Sequence, residues 1–231
     1  MKKLTTLAIS AAALTGIAVA DADVSFSTGV HSDYIYRGVD LGDDQEFADF
    51  GLDVAGSCDC GVDWYAGIWY ASTTGTAVDE LDIFAGISKD LGFGSVDFGY
   101  ITYTYSEGTQ NDAELYLGFS TTLAGVDLGA NWSVGTDGGW ESGSWVDLSA
   151  GYGYEGLNLE LGLGFAFGSA NYAPDVDGLA TYSATLSYEY AISDDITISP
   201  YVSYVINTDD YEGAAGDDEH FYGGASLSYA F

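Results

Sequence analysis

Apolar and polar residues alternate with a period of two along most of the chain, which is the pattern of β-strands with one apolar face. In residues 157–167, leucine or phenylalanine occupies every odd position, while polar residues, glycine or alanine occupy the even ones. Apolar residues at helical spacing are scarce, so the chain is predicted to be all-β. Twelve segments follow the alternating pattern: 24–37, 48–56, 62–70, 81–88, 96–100, 114–119, 126–134, 146–154, 157–167, 181–190, 196–206 and 221–231.

The connections between these segments alternate between short and long. Short connections are predicted at 57–61, 89–94, 123–125, 155–156 and 192–195. Long polar connections are predicted at 38–45, 72–80, 106–112, 136–143, 169–178 and 207–219. Tight turns on one side and long loops on the other predict an up-and-down antiparallel sheet, the arrangement of bacterial outer-membrane barrels.

The acidic residues within the segments lie on the face opposite the apolar one. A soluble sandwich would turn these acids to solvent, whereas a membrane barrel would turn them into a wet lumen. The barrel is favoured because aromatic residues such as Trp64, Tyr154 and Tyr229 end many apolar faces, as in an aromatic girdle. Many segments are also long enough to cross a bilayer at a tilt. We therefore predict a transmembrane, up-and-down antiparallel β-barrel of about twelve strands spanning residues 21–231.

Residues 1–20 have the three parts of a secretory signal peptide. Lys2 and Lys3 precede an apolar run, and Ala18-Val19-Ala20 forms a small-x-small cleavage site. A membrane-anchoring helix is the alternative, but the apolar run is short and a cleavage site follows it. Export from a Gram-negative bacterium to the outer membrane is therefore expected.

The net charge of the chain is −32, from 36 acidic and 4 basic residues. Cleavage after residue 20 would leave Arg37 and Lys89 as the basic side chains. This excludes a nucleic-acid partner, because phosphate contacts need lysine and arginine. Disorder is also excluded, because 47% of the residues are hydrophobic and 15% are aromatic.

Two segments carry a resemblance to a known family, and the C-terminal residues carry a signal that most outer-membrane barrels share. Residues 32–39, SDYIYRGV, and residues 64–72, WYAGIWYAS, resemble the first and third strands of the TorF-like family of outer-membrane porins. The final residues 227–231, LSYAF, look like the signal that hands barrel proteins to the outer-membrane assembly machinery. The resemblance implies a porin in the cell outer membrane.

The predicted function is a channel for passive diffusion of small solutes that prefers cations, because rings of acids attract cations and repel anions. Its partners would be membrane lipid and small solutes or cations. Arg37 is expected to pair with Asp33, four residues earlier on the same face, and the alternative is that it holds an acidic loop or an anionic group of a solute. A closed structural or adhesive barrel is the alternative. The residues predicted to line the pore are Asp33, Arg37, Asp53, Asp63, Asp82, Asp97, Glu114, Asp127, Asp147, Glu160 and Glu189.

A barrel hydrolase is a further alternative. His31 faces the lumen, and closure of the barrel would bring His220 and Ser226 beside it, with Asp33 close in sequence. Serine is abundant on these faces, so chance proximity explains this grouping, and we predict no enzymatic activity and no cofactor.

The two cysteines form the sequence Cys58-Asp59-Cys60 at the first tight turn. An even number of cysteines in an exported chain predicts a disulfide, although a reducible bridge or a thiolate pair for a metal is the alternative. The loop acids at residues 209–210 and 217–219 could bind Ca²⁺, but they lack the regular spacing of an EF-hand, and we predict no metal site.

Overall fold

The structure is a computed structural model that describes residues 22–74, 79–106, 111–168 and 176–231. The predicted signal peptide, residues 1–20, lies outside the described residues, as do parts of three long connections. Among the described residues, no helix is both long enough and apolar enough to cross a membrane.

Twelve long strands, three short strands and two short helices make up the described chain. The long strands are β1 (Ala22–His31), β4 (Phe47–Ser57), β5 (Asp63–Thr73), β6 (Glu80–Asp90), β7 (Ser95–Tyr105), β8 (Asp112–Leu123), β9 (Val126–Asp137), β10 (Ser144–Tyr154), β11 (Leu157–Phe167), β12 (Gly178–Tyr188), β14 (Ile196–Asn207) and β15 (Glu219–Ala230). The short strands are β2 (Ile35–Tyr36), β3 (Val39–Asp40) and β13 (Tyr190–Ala191). The helices are a 3-10 helix (Gly138–Trp140) and α1 (Asp209–Ala215).

The long strands form a closed antiparallel ring. Each pairs with its neighbours in sequence, β12 pairs with β14 across the break at β13, and β1 pairs with β15 from Ser25–Ala230 to His31–Gly224. The ring therefore has twelve strands, and the predicted up-and-down barrel is confirmed.

The predicted tight turns are also present. Two of them join their strands through two residues with positive φ: Ala124 and Gly125 at 54° and 85°, and Glu155 and Gly156 at 49° and 89°. Positive φ at both central residues defines the type I′ turn, whose twist matches that of a hairpin. These turns fix the register of β8 against β9 and of β10 against β11.

The two faces of the barrel are inverted relative to a soluble protein. On β8, Leu117 is 50% exposed and points outward, whereas Glu114 is 1% exposed and points inward. Leu161 on β11 is likewise 51% exposed. A soluble sandwich would bury the leucines and expose the glutamate. The apolar face is therefore the lipid-facing belt of a membrane barrel.

The first strand is shorter than predicted. The alternating pattern predicted a strand to Arg37, but β1 ends at His31, and residues 34–41 fold back as the hairpin β2–β3. Arg37 and Gly38 form its turn with φ of 52° and 80°, again a type I′ geometry. Because a hairpin strand alternates with the same period as a barrel strand, the pattern did not reveal the reversal.

Candidate functional site

The lumen is lined by acids from many strands. The predicted pore-lining residues on inward-facing strand positions are Asp53 (β4), Asp82 (β6), Asp97 (β7), Glu114 (β8), Asp147 (β10) and Glu160 (β11). Asp97 accepts a hydrogen bond from Tyr65 Oη at 2.9 Å, and Asp147 accepts one from Trp145 Nε1 at 2.6 Å. Tyrosine and tryptophan side chains therefore act as hydrogen-bond donors to these carboxylates.

Three other predicted residues lie at the tight-turn end of the barrel. Asp63 accepts a hydrogen bond from Ser57 Oγ at 2.5 Å, and Asp127 accepts one from Thr122 Oγ1 at 2.6 Å. Glu189 is exposed in the break between β12 and β13, so the predicted strand at 181–190 is interrupted there. These carboxylates are at the rim rather than in the middle of the lumen.

Arg37 forms an ion pair with the barrel wall. Its Nη1 and Nη2 lie 2.7 and 3.2 Å from the two carboxylate oxygens of Glu114, and both side chains are buried. The guanidinium also lies 4.8 to 5.8 Å from the ring centroids of Tyr36, Trp140 and Trp145. The expected pair with Asp33 was therefore wrong, because the hairpin turn carries Arg37 into the lumen and across to β8.

The backbone of the same turn is held from the opposite wall. Tyr211 Oη donates to the carbonyl of Arg37 at 2.9 Å, and Asn207 Nδ2 donates to the carbonyl of Gly38 at 2.8 Å. His220 Nε2 lies 3.0 Å from the same Gly38 carbonyl. A Cβ at Gly38 would collide with the Asn207 side chain, so the turn needs glycine both for its φ and for this close approach.

Tyrosines fix the rest of the hairpin. Tyr34 Oη donates to Glu80 on β6 at 2.9 Å, and Tyr36 Oη lies 3.2 Å from Tyr103 Oη on β7. The hairpin β2–β3 thus contacts β6, β7 and β8 on one side and β14, β15 and α1 on the other. It crosses the lumen near its loop end and narrows it.

A small apolar cluster supports the hairpin from the loop end. Val39 of the hairpin and Trp140 of the 3-10 helix pack against this apolar cluster. Its buried members come from β10, β11, β12, α1 and the segment before β12: Trp145, Ala166, Val176, Ala180, Tyr211 and Ala215. In this part of the lumen, apolar side chains pack against one another as a small core.

The loop that carries the hairpin also holds three acids close together. Carboxylate oxygens of Asp33, Asp40 and Asp44 lie within 4.8 Å of one another. The carboxylate of Asp40 already accepts the backbone N–H groups of Gly42 and Asp44, at 2.7 and 2.8 Å. Burial and the neighbouring Asp40 carboxylate raise the pKa of Asp33 to about 6. The loop geometry accounts for the cluster, and we assign no metal to it.

The residues considered for hydrolysis have other partners. His31 Nδ1 lies 2.9 Å from Tyr201 Oη, and its Nε2 lies 3.5 Å from Asp49. Asp33 instead accepts the backbone N–H of Tyr34, and His220 contacts the hairpin turn. The structure therefore does not assemble the arrangement of His31 with Asp33 that the hydrolase alternative required.

Cys58 and Cys60 are joined in a disulfide at the tight turn between β4 and β5. Both residues are exposed, and their Cα atoms are 5.2 Å apart. The bridge lies outside the lumen, at the end of the barrel opposite the hairpin.

Two buried acids of the lumen were missed by the sequence reasoning. Glu80 and Asp112 were assigned to the long connections 72–80 and 106–112, but they are the first residues of β6 and β8. The sequence did indicate their position, because each lies two residues before a predicted lumen acid, Asp82 or Glu114. Residues two apart in a strand share a face.

The fold has counterparts among solved structures. The structure superposes on the KdgM porin with a TM-score of 0.56 and 12% identity, covering 90% of this chain and 99% of that one. It superposes on an outer-membrane channel from Pseudomonas putida F1 with a TM-score of 0.58 and 11% identity, covering 98% and 100%. No match was found among curated proteins. The closed barrel with an apolar outer belt is therefore the fold of an outer-membrane channel.

Sequence comparison identifies a family. Residues 17–172 match the family described as "Bacterial protein of unknown function (Gcw_chp)". That description does not mention a porin, so the resemblance to the TorF-like porins stays a prediction. Because the match covers more than half of the chain, the chain belongs to the Gcw_chp family of bacterial proteins.

Proposed function

We propose that this barrel is an outer-membrane channel for passive diffusion of small solutes and that it prefers cations. One observation carries the proposal: a closed twelve-stranded ring has a lumen lined by carboxylates, while its apolar side chains face outward. Such a lumen has a negative potential, which raises the local concentration of cations and repels anions.

The balance of charge in the lumen supports the cation preference. Of the two basic side chains among the described residues, Arg37 is paired with Glu114, and Lys89 is exposed at the end of β6. Asp53, Asp97 and Glu160 therefore face the lumen without a basic neighbour to neutralise them. Among the described residues, no row of lysine or arginine side chains lines the lumen to neutralise these carboxylates.

The hairpin limits the size of the solute that can pass through the lumen. A barrel of twelve strands is wider than one of eight, whose side chains nearly fill the interior. Here β2–β3 occupies part of that additional space. The related fold of the KdgM porin has been solved in complex with disordered oligogalacturonate, an acidic sugar oligomer. The acidic lumen of this chain disfavours such an anion and favours small cations.

Planar-bilayer recording on the refolded protein tests the proposal. We expect discrete conductance steps and, across a KCl gradient, a reversal potential of the sign that K⁺ selectivity gives. Selectivity should weaken between 0.1 and 1 M KCl, because the screening length falls from about 10 to about 3 Å.

Two variants distinguish the effect of lumen carboxylates from the effect of carboxylates elsewhere on the protein. Asp147→Asn removes a lumen carboxylate and should reduce cation selectivity, whereas Asp195→Asn, in an exposed turn before β14, should leave it unchanged. Absence of conductance would refute the channel and favour the closed structural barrel. A reversal potential that favours chloride would refute the cation preference alone.

A further inference from the structure

Four carboxylates are buried side by side on the lumen face of β6 and β8. Glu80 is 3% exposed, Asp82 7%, Asp112 9% and Glu114 1%. The strand β7 lies between them, with Tyr103 paired to Asp82 on one side and to Asp112 on the other. The four acids therefore share one patch of the wall beneath the hairpin.

Three of these carboxylates have hydrogen-bond donors. Glu114 accepts two hydrogen bonds from Arg37 and one from Tyr103. Glu80 accepts one from Tyr34 Oη, and Asp112 accepts the backbone N–H of Gly139 at 2.6 Å.

Asp82 differs from its three neighbours because the partner of its carboxyl group is another acid, Glu80. Its Oδ1 is buried and has no hydrogen-bond partner within the described part of the chain. An unpaired buried carboxylate oxygen costs free energy, because it has lost its water without gaining a donor or a positive charge. The patch has four carboxylates and one guanidinium, and that guanidinium is bound to Glu114. Glu80, Asp82 and Asp112 are left without a positively charged partner in this patch, and the carboxyl groups of Glu80 and Asp82 lie close enough to hydrogen-bond to each other.

We propose that Glu80 and Asp82 bind a hard divalent cation of the Ca²⁺ type beneath the hairpin. Carboxylate oxygens are the ligands that Ca²⁺ prefers, and its flexible coordination accepts phenol, carbonyl and water oxygens beside them. The free Oδ1 of Asp82 supplies one ligand, and Glu80 supplies a second from two residues earlier on the same face of β6. Tyr34 donates to Glu80, so the ion would lie next to the hairpin and link it to the wall.

Calorimetric titration of the refolded full-length protein with CaCl₂ tests the site, and it does not depend on whether the barrel conducts. The wild type should bind Ca²⁺ in a single saturable step. Asp82→Asn should weaken that step at least tenfold, because the substitution removes the charge and keeps the shape. Asp97→Asn is the matched control: it removes another lumen carboxylate, on β7, that already has Tyr65 as its donor.

The outcomes are distinct. Equal weakening by Asp82→Asn and Asp97→Asn would show diffuse attraction to an acidic lumen and would overturn the site. Absence of binding by the folded wild type would overturn it as well, and would show that the two carboxyls are compensated by protons. Glu80→Gln provides a second variant if Asp82→Asn does not fold, with heat-modifiable migration in detergent gels as the check of folding. Ca²⁺ binding without conductance would support the site while refuting the channel.

Discussion

At the scale of single residues, Arg37 has an unusual backbone. Both central residues of a type I′ turn need positive φ, and asparagine, aspartate or glycine is preferred there. Arg37 adopts a φ of 52°, a conformation that costs an ordinary side chain about 1–2 kcal/mol. The pair with Glu114 and the contacts with three aromatic rings offset that cost. The turn therefore holds an arginine because of what its side chain reaches in the lumen.

Replacing Arg37 should release the hairpin. Arg37→Ala leaves Glu114 buried without its cation, and breaking a buried pair in this way costs about 3–5 kcal/mol. We expect the hairpin to leave its docked position and the single-channel conductance to rise. Bilayer recording measures this, and Lys89→Ala, which removes an exposed base at the far end of β6, is the control.

A double-mutant cycle identifies the cause. If the ion pair holds the hairpin, Arg37→Ala combined with Glu114→Gln should raise the conductance by less than the sum of the two single changes. Conductance unchanged in all three variants would show that the hairpin does not limit the current.

Asp33 should make the docked loop sensitive to pH. Burial and the Asp40 carboxylate raise the pKa of Asp33 from 3.8 to about 6 when the loop is docked. The docked loop therefore binds this proton more tightly than a solvated loop does. It follows that docking is most stable below about pH 4 and loses stability as the pH rises to about 6, with no further change above.

Channel recordings between pH 4 and 7 would detect this loss of docking as a higher open probability or conductance at the upper end. Asp33→Asn should flatten the dependence, whereas Asp23→Asn, an exposed carboxylate on β1, should leave it in place. A dependence that persists in Asp33→Asn would assign the effect to another group.

At the scale of elements, each strand has two chemically different faces. On β8 the outward Leu117 meets lipid, and on the paired strand β9 the inward Asn131 lies opposite Asp147 of β10. Leu117→Arg should destabilise the folded barrel by about 2–4 kcal/mol, the cost of arginine on the lipid face near the middle of the bilayer. Asn131→Arg adds the same side chain to the lumen next to an acid and should cost much less.

Urea-dependent unfolding in lipid vesicles measures both variants. The difference between them, rather than either value alone, tests which face meets lipid. Similar destabilisation by the two arginines would contradict the inverted barrel.

At the scale of the whole molecule, the fold could be predicted from the sequence because its rules are local. A strand that separates lipid from water must alternate, and tight turns must join strands that pair. Both signals extend over a few neighbouring residues, so twelve strands and their order followed from the chain alone. The disulfide between Cys58 and Cys60 was likewise predictable from adjacent residues.

The contents of the lumen could not be predicted in the same way. Arg37 was predicted to line the lumen, but its partner Glu114 lies 77 residues away and was not identified. Asp33, four residues earlier on the same face of the predicted strand, was the wrong partner. A contact across a barrel depends on how the ring closes, and alternation contains no information about which residues then face each other.

The hairpin anchors also have a consequence for the order of events during assembly. Arg37 and Gly38 are held by Glu114, Asn207, Tyr211 and His220, at sequence separations of 77, 169, 174 and 182 residues. The last of these lies on β15, the strand that must pair with β1 to close the ring. Contacts so distant in sequence cannot form early, because the loop closure they require is entropically costly until the strands between them are in place. We therefore expect the hairpin to complete its set of contacts only once the ring has closed, so that a docked hairpin would mark a barrel whose assembly is complete.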